Sequence, residues 1–334
     1  MPKENFGQLG KQEAIQRLFE GTGFTREETC SFGSNNGSVI REASALLLEG
    51  IDFDLTYFPL KHLGYKCVTR VTGELYASMS KPRTLSINIG ISAKLDFGRI
   101  QDLCAGVFTA AREHDYSSVK LDLTPSHNGL TIGISATGET AMLTWGRRQE
   151  PKSKDLICVS GSLGGAFFGM RVLENEKKNF EKDNHQPDLE KRKMFVGDYL
   201  KPELNPNIVR HLEEEEIYPS FGYFITDGLA DTVKKLVRDS GLGAKIYAEK
   251  IPFEGNSFEL GKEMDIDPIS AAMNGGSDYK LLFTIPILKL EKFRRDFQTF
   301  DIIGHLAQSD VGPVLVTPDG VELPIVAQGW KEEE

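Results

Sequence analysis

The stretch from residue 59 to residue 80 limits the fold most. Leu63, Cys67, Val71, Leu75 and Met79 recur at strict i+4 spacing, which lines them up as one apolar stripe on a helix. A stripe of that length needs a layer packed over it. Pro59 suits the first turn, where a missing N–H costs nothing, and Pro82 is expected to end the element. Glu74 flanks the stripe and belongs at its edge. Directly afterwards Leu85, Ile87, Ile89 and Ile91 alternate with other residues, the pattern of a half-buried strand. Residues 97–114 give a second amphipathic helix, and residues 118–123 and 130–137 read as strands around a turn-rich segment. Strands alternating with long helices make an α/β layer.

The chain then becomes polar and charged at residues 145–154, and a domain boundary is expected there: residues 1–148 as one domain, 149–334 as a second α/β domain. A strand at 156–160 runs through the turn Gly161-Ser162-Leu163-Gly164-Gly165 into a helix at 166–177. The highly charged residues 175–193 read as a solvated helix end and loop. Short helices are expected at 11–20, 207–214, 228–240 and 287–298, with strands within 39–51 and at 281–285.

With 334 residues the chain is long enough for two cored domains, and a net charge of −10 argues against a nucleic-acid partner, which needs a basic face. It leaves a phosphorylated ligand open. No apolar run approaches the roughly 18 residues of a membrane span, and the first ten residues carry no apolar signal segment. The four cysteines are scattered without a C-x-x-C pair. Reduced thiols in a cytoplasmic protein are the expectation.

Two loops carry the chemistry. One is Ile225-Thr226-Asp227-Gly228-Leu229, the other Gly275-Gly276-Ser277-Asp278-Tyr279. Glycine lets a backbone approach a phosphate, and a nearby carboxylate can hold Mg²⁺. Neither loop, nor the turn at 161–165, is a Walker A or G-x-G-x-x-G motif. Each acid also has a structural role open to it. Asp227 suits a helix start, Asp122 a turn, and Asn35 and Asn36 are good turn formers.

Residues 46–66, LLLEGIDFDLTYFPLKHLGYK, resemble the N-terminal segment of thiamine-monophosphate kinases. The resemblance continues through ELYASMSKPR, DLICVSGSLGGAFFG, ITDGLADTVKKL, GGSDYKLLFT and AQGW, in order along essentially the whole chain. It implies a two-domain α/β (α+β) subunit of the aminoimidazole ribonucleotide synthetase-like superfamily. The N-terminal mixed sheet would pair with its twin in a homodimer to close a barrel. The implied reaction is Mg²⁺-assisted transfer of the γ-phosphoryl of ATP to thiamine monophosphate, with no covalent intermediate.

By position, the resemblance gives metal ligands at Asn35, Asn36, Glu74, Asp122 and Asp227, with Asp227 and Asp122 catalytic. ATP contacts fall on Thr226, Asp227, Gly228, Arg148, Gly161, Ser162 and Gly164, and the thiamine end on Asp52, Phe53, Ser277, Asp278 and Trp330. Several of the family's acidic residues are replaced: Asn35 and Asn36 stand in the first loop, Ala45 in the second and Ser162 further on where the family has aspartates, and Ser277 where it has a glutamate. Glu74 keeps a carboxylate one methylene further out. Fewer charges weaken a Mg²⁺ cluster. The alternatives are a non-catalytic homologue that keeps the dimer scaffold, and a related phosphotransferase with another acceptor.

Overall fold

The computed structural model describes residues 11–24, 30–33, 37–184, 186–187 and 189–327. Asn35, Asn36 and Trp330 lie outside the described residues.

After a first helix, α1 (Lys11–Phe19), five strands form one sheet: β1 (Cys30–Gly33), β2 (Ser38–Leu48), β3 (Lys81–Ser92), β4 (Ser118–Ser126) and β5 (Thr131–Ala141), in the order β1-β2-β5-β3-β4. Only the β3–β4 pair is parallel. The helices α2 (Leu60–Ala77) and α3 (Phe97–Glu113) cover one face. The i+4 stripe explains why: Leu63, Cys67, Val71 and Leu75 are fully buried against Leu85, Ile87, Ile89 and Ile134 of the sheet. Among the described residues no helix covers the opposite face, which carries Ser86, Asn88 and Leu46.

Two glycines set the spacing of the helix pair. A Cβ on Gly106 would lie 1.9 Å from the Lys61 carbonyl oxygen, and one on Gly64 would lie 2.0 Å from that of Leu103. The two backbones therefore touch, and any side chain at the crossing would force them apart.

The helix α2 stops at Ala77, earlier than its apolar pattern suggests. Met79 turns the chain at φ +62° while staying buried. Pro82 does not end the helix; it sits inside β3 at a register shift against β5, where a missing N–H is tolerated.

A short helix α4 (Met142–Gly146) leads to the second sheet, built from β6 (Leu156–Val159), β7 (Gly222–Ile225), β8 (Gly243–Tyr247), β9 (Lys280–Ile285), β10 (Asp301–Ala307), β11 (Pro313–Val316) and β12 (Glu322–Pro324). Their order is β12-β11-β8-β10-β6-β9-β7. The helices here are α5 (Gly165–Asp183), α6 (Lys193–Leu200), α7 (Ile208–Glu214), α8 (Leu229–Ser240), α9 (Ser257–Met264), α10 (Pro268–Asn274) and α11 (Leu290–Asp296). The charged stretch from residue 175 continues α5 as helix to Asp183, and Asn184 then turns the chain out of the helix at φ +54°.

The two sheets share apolar contacts. Phe168, Val172 and Phe195 of α5 and α6 join the cluster beneath α2, while Tyr76 and Ala77 at the end of α2 join Leu281 and Phe283 of β9. This lays α2 along β7 of the second sheet, its C-terminal end beside the start of that strand. Among the described residues no helix is long and apolar enough to cross a membrane.

Candidate functional site

Strand polarity brings three loops together. β6 and β7 each run antiparallel to β9, which lies between them. The segments after β6, after β7 and before β9 therefore emerge at the same end. Hydrogen bonds lock them: Ser277 N donates to Thr226 O (2.7 Å), Tyr279 N to Ile225 O (2.9 Å), and Ser160 N to Leu281 O (2.9 Å). Gly228 turns at φ +99°, and a Cβ there would meet Met273 O at 2.4 Å, so the bend into α8 accepts only glycine. Ser277 and Tyr279 both take positive φ on either side of Asp278, a conformation an aromatic residue rarely adopts. The cost is carried by the contacts of Asp278, whose carboxylate accepts from Gly164 N at 2.9 Å and 3.0 Å.

The helix α2 supplies the facing wall. Beside its apolar ladder runs a second i+4 row, Lys66, Arg70 and Glu74. Gly73 lets this wall come close, since a Cβ there would lie 2.3 Å from the Phe224 ring of β7. Gly222 does the same at the strand's start, where a Cβ would lie 2.0 Å from Ala77 O. Glu74 and Arg70 form an ion pair with side chains only 20% and 18% exposed. Burial disfavours the Arg70 charge, but Glu74, Tyr279 and Asp227 outweigh it and raise the guanidinium pKa above its usual value. Asp227 thus acts on the cation that Glu74 holds.

Lys66 is buried, donates to Tyr199 O at 2.7 Å and sits 4.0 Å from the centre of the Tyr199 ring. Burial lowers its pKa to about 7, with Asp52 and Asp278 among the groups opposing the shift. Burial likewise pushes Asp278 up to about 7, against the Gly164 and Ala166 N–H groups. The folded state therefore holds fewer protons on Lys66 than the unfolded chain between about pH 7 and pH 10, and stability rises with pH across that window. Urea unfolding should show this rise, at up to about 1.4 kcal/mol per pH unit from this group. The Lys66→Met variant should lose it; an unchanged profile would mean that Lys66 does not titrate there.

Asp52 stands at the rim, accepting from Leu48 N at 2.7 Å, and its carboxyl feels Arg70, Lys66 and Asp227. Asp198 faces the same loops: a Cβ on Gly165 would lie 2.6 Å from its carboxylate, and Lys280 acts on it. Both signs of charge thus gather about these loops, with Arg70 and Lys280 as the cations nearest the surface and Lys66 buried behind them.

No family model matches the chain. Thiamine-monophosphate kinase from Aquifex aeolicus (strain VF5) is 25% identical over 241 residues, 72% of this chain and 74% of that one. The enzyme of the same name from Pyrococcus horikoshii is 25% identical over 273 residues, 80% of this chain and 78% of that one. This chain is similar to the thiamine-monophosphate kinases over most of its length. The fold agrees. A solved structure described as AaThiL complexed with AMPPCP and TMP covers 100% of both chains at a TM-score of 0.81 and 21% identity. The hydrogenase maturation protein HypE in complex with ATP covers 98% of this chain and 97% of that one, at a TM-score of 0.64 and 16% identity.

The residues singled out from the sequence fall into three places. Thr226, Asp227, Gly228, Gly161, Ser162, Gly164, Ser277 and Asp278 lie in the three joined loops, with Glu74 across from them and Asp52 at the rim. Gly164 does not offer its N–H to an incoming phosphate, because Asp278 already accepts it. Phe53 is core, 2% exposed against Phe58, yet its edge borders a cavity of about 460 Å³ with Tyr57, Met170, Lys177 and Tyr199.

Two expected residues stand apart. Arg148 gives its Nε to Pro219 O (3.0 Å) and its Nη2 to Ser220 O (2.7 Å), so it ties the chain near the start of β7, whereas the loops meet at its end. Asp122 pairs with Asn88 across β3 and β4 on the open face of the first sheet, while Glu74 lies on the helix covering the other face. The carboxylates are not gathered: among the described residues no group of three or more His, Cys, Asp or Glu can hold a metal ion. With Glu74 taken by Arg70, the described residues do not fit the Mg²⁺ cluster that the resemblance implies.

Lys66, Arg70 and Asp198 were missed in the sequence. The first two repeat the i+4 spacing of the apolar ladder one position before it, so the signal was present, but it read as an ordinary polar helix edge. Asp198 had no local signal; tertiary packing alone puts it beside Gly165.

Proposed function

We propose that this chain transfers the γ-phosphoryl group of ATP to thiamine monophosphate, giving thiamine diphosphate, in the groove between α2 and the three loops. The observation that carries the reading is the convergence of those loops on Asp227 opposite charged α2, in a chain aligned over most of its length with kinases of that name. The neighbour bound to an ATP analogue and TMP supports the same ligands.

Phosphoryl transfer asks a protein for positioning and charge neutralisation more than for covalent chemistry. Arg70 and Lys280 are the cations that can face phosphate oxygens, with Lys66 buried behind them against Tyr199. Glu74 orients Arg70, and Asp227 adds its charge to the field there. The tight turns at Gly228 and Gly276 keep the backbone low enough for a ligand to approach. Residues 1–148 and 149–334 act as the two domains that flank the groove, in a cytoplasmic enzyme.

Calorimetry with ATP, then with thiamine monophosphate on the ATP-loaded protein, tests the reading. We expect saturable binding of both, and product formation lowered by about 100-fold in Asp227→Asn, the usual cost of one preorganised electrostatic group. Wild-type turnover in that variant would remove Asp227 from the reaction. A second reading, a homologue that binds without turnover, is favoured by one observation, the Glu74–Arg70 pair that occupies a carboxylate the family's metal would need. Binding without product would select it.

The open face of the first sheet is proposed to pair with a second copy. Leu46 is 61% exposed there and Leu48, two residues on along the same face of β2, is 36% exposed, apolar surface that a second copy would cover. Light scattering should report two chains per particle, and Leu46→Glu with Leu48→Glu should give one. A monomeric wild type would contradict this pairing.

A further inference from the structure

We propose that Arg70 is the resident cation of the groove: its guanidinium, held by Glu74 and facing Asp227, stands where a divalent metal ion would need to sit. The inference deepens the phosphoryl-transfer reading and rests on it only for the identity of the anion.

Three observations carry it. First, the position is fixed. Lys66, Arg70 and Glu74 follow one another a turn apart, and the glycine at 73 lets that side of the helix close onto Phe224, two residues before Thr226-Asp227. Second, Glu74 already has its cation. Glu74 pairs with Arg70, Asp227, Tyr279 and Asp52 lie near enough to act on the same charge or be acted on by it, and Asp278 is held by Gly164 N and so is turned to the neighbouring turn. Third, no trio of potential metal ligands forms among the described residues. Magnesium needs near-octahedral oxygen ligands at short range, and a guanidinium supplies none while repelling the ion. Arginine never loses its charge and presents several donors in a fixed fork, which suits phosphate oxygens. The consequence is an anion site whose counter-charge is built into the chain. Polyphosphate is met by Arg70 and Lys280, and divalent ions bind weakly.

The test uses Mn²⁺ alone, followed by water-proton relaxation, on the nucleotide-free protein. The wild type and Arg70→Lys should show no saturable site below about millimolar Mn²⁺, and Arg70→Gln should gain one bound ion with affinity at least about tenfold higher, as an uncovered carboxylate pair allows. Adding Glu74→Gln to Arg70→Gln should remove that site. Tight Mn²⁺ binding by the wild type would overturn the assignment whether or not the variants fold. So would an Arg70→Gln protein that folds and binds Mn²⁺ no better than the wild type. ATP calorimetry in EDTA and in MgCl₂ separates the two proposals. Wild-type affinity should differ by less than about threefold between them. Binding that depends on Mg²⁺ would overturn the resident cation. Absence of ATP binding in both buffers would count against the kinase reading and leave the Mn²⁺ result to decide Arg70.

Discussion

Gly106→Ala is expected to cost the folded state about 3 kcal/mol, the upper end of what overpacking does. The added methyl would lie 1.9 Å from the Lys61 carbonyl oxygen and 2.9 Å from Tyr65 N, both backbone atoms that cannot swing aside. The helices α2 and α3 would have to separate, and the ladder from Leu63 to Leu75 would lose its fit to the sheet. Because α2 also carries Lys66, Arg70 and Glu74, the groove should loosen with the core. Urea denaturation checks this through a lowered midpoint. Gly146→Ala is the control: nothing lies within 4 Å of a Cβ there, and alanine is the better helix former. Equal stability of the two variants would show that the helix crossing yields more easily than its geometry implies.

Asp278→Ala should be comparably severe, at about 3 kcal/mol. It orphans the buried N–H of Gly164, which alone costs about 1–3 kcal/mol, and leaves Ser277 and Tyr279 in their positive-φ conformations without the contact that holds them. Asp278→Asn separates charge from shape. Burial raises the carboxyl to about 7 from an ordinary value of 3.8. The unfolded chain therefore releases this proton first, and the contribution of Asp278 to folding stability falls as pH rises from about 4 to about 7, then levels. The asparagine variant, with nothing to ionise, should lose that decline while keeping the acceptor for Gly164. A wild-type stability that climbs steadily over the same window, unchanged by Asp278→Asn, would contradict the placement of the charge.

Much of the fold was legible because its strongest signals are periodic. The i+4 ladder of α2 and the alternation of β3 each reflect burial on one side, and each lies where its pattern says. The end of α2 was misjudged because Met79 keeps its apolar contact after the helix has stopped, by a single left-handed turn. The short helices at 193–200, 257–264 and 268–274 and the strand at 243–247 were not foreseen. Such brief elements owe their form to tertiary packing more than to their own pattern.

The site was legible in part. Loops rich in glycine and aspartate announced themselves through turn chemistry, and strand order brought those at 161–165, 226–228 and 275–279 together. Arg148 and Asp122 could not be placed from the sequence. One depends on which backbone carbonyls come within reach of a long side chain, the other on which face of a sheet a strand residue takes. The pairing of Arg70 with Glu74 was equally hidden, because nothing in an i+4 charge pair distinguishes a solvated helix edge from the wall of a groove.

Phosphorus NMR of the wild-type protein mixed with ATP and thiamine monophosphate, run beside Asp227→Asn, tests the central claim most directly. The account predicts that resonances of thiamine diphosphate and ADP grow together in the wild type and about 100-fold more slowly in the variant. Folded wild-type protein that binds both ligands and yields no thiamine diphosphate would contradict it, and would leave the chain as a scaffold that holds these ligands without joining them.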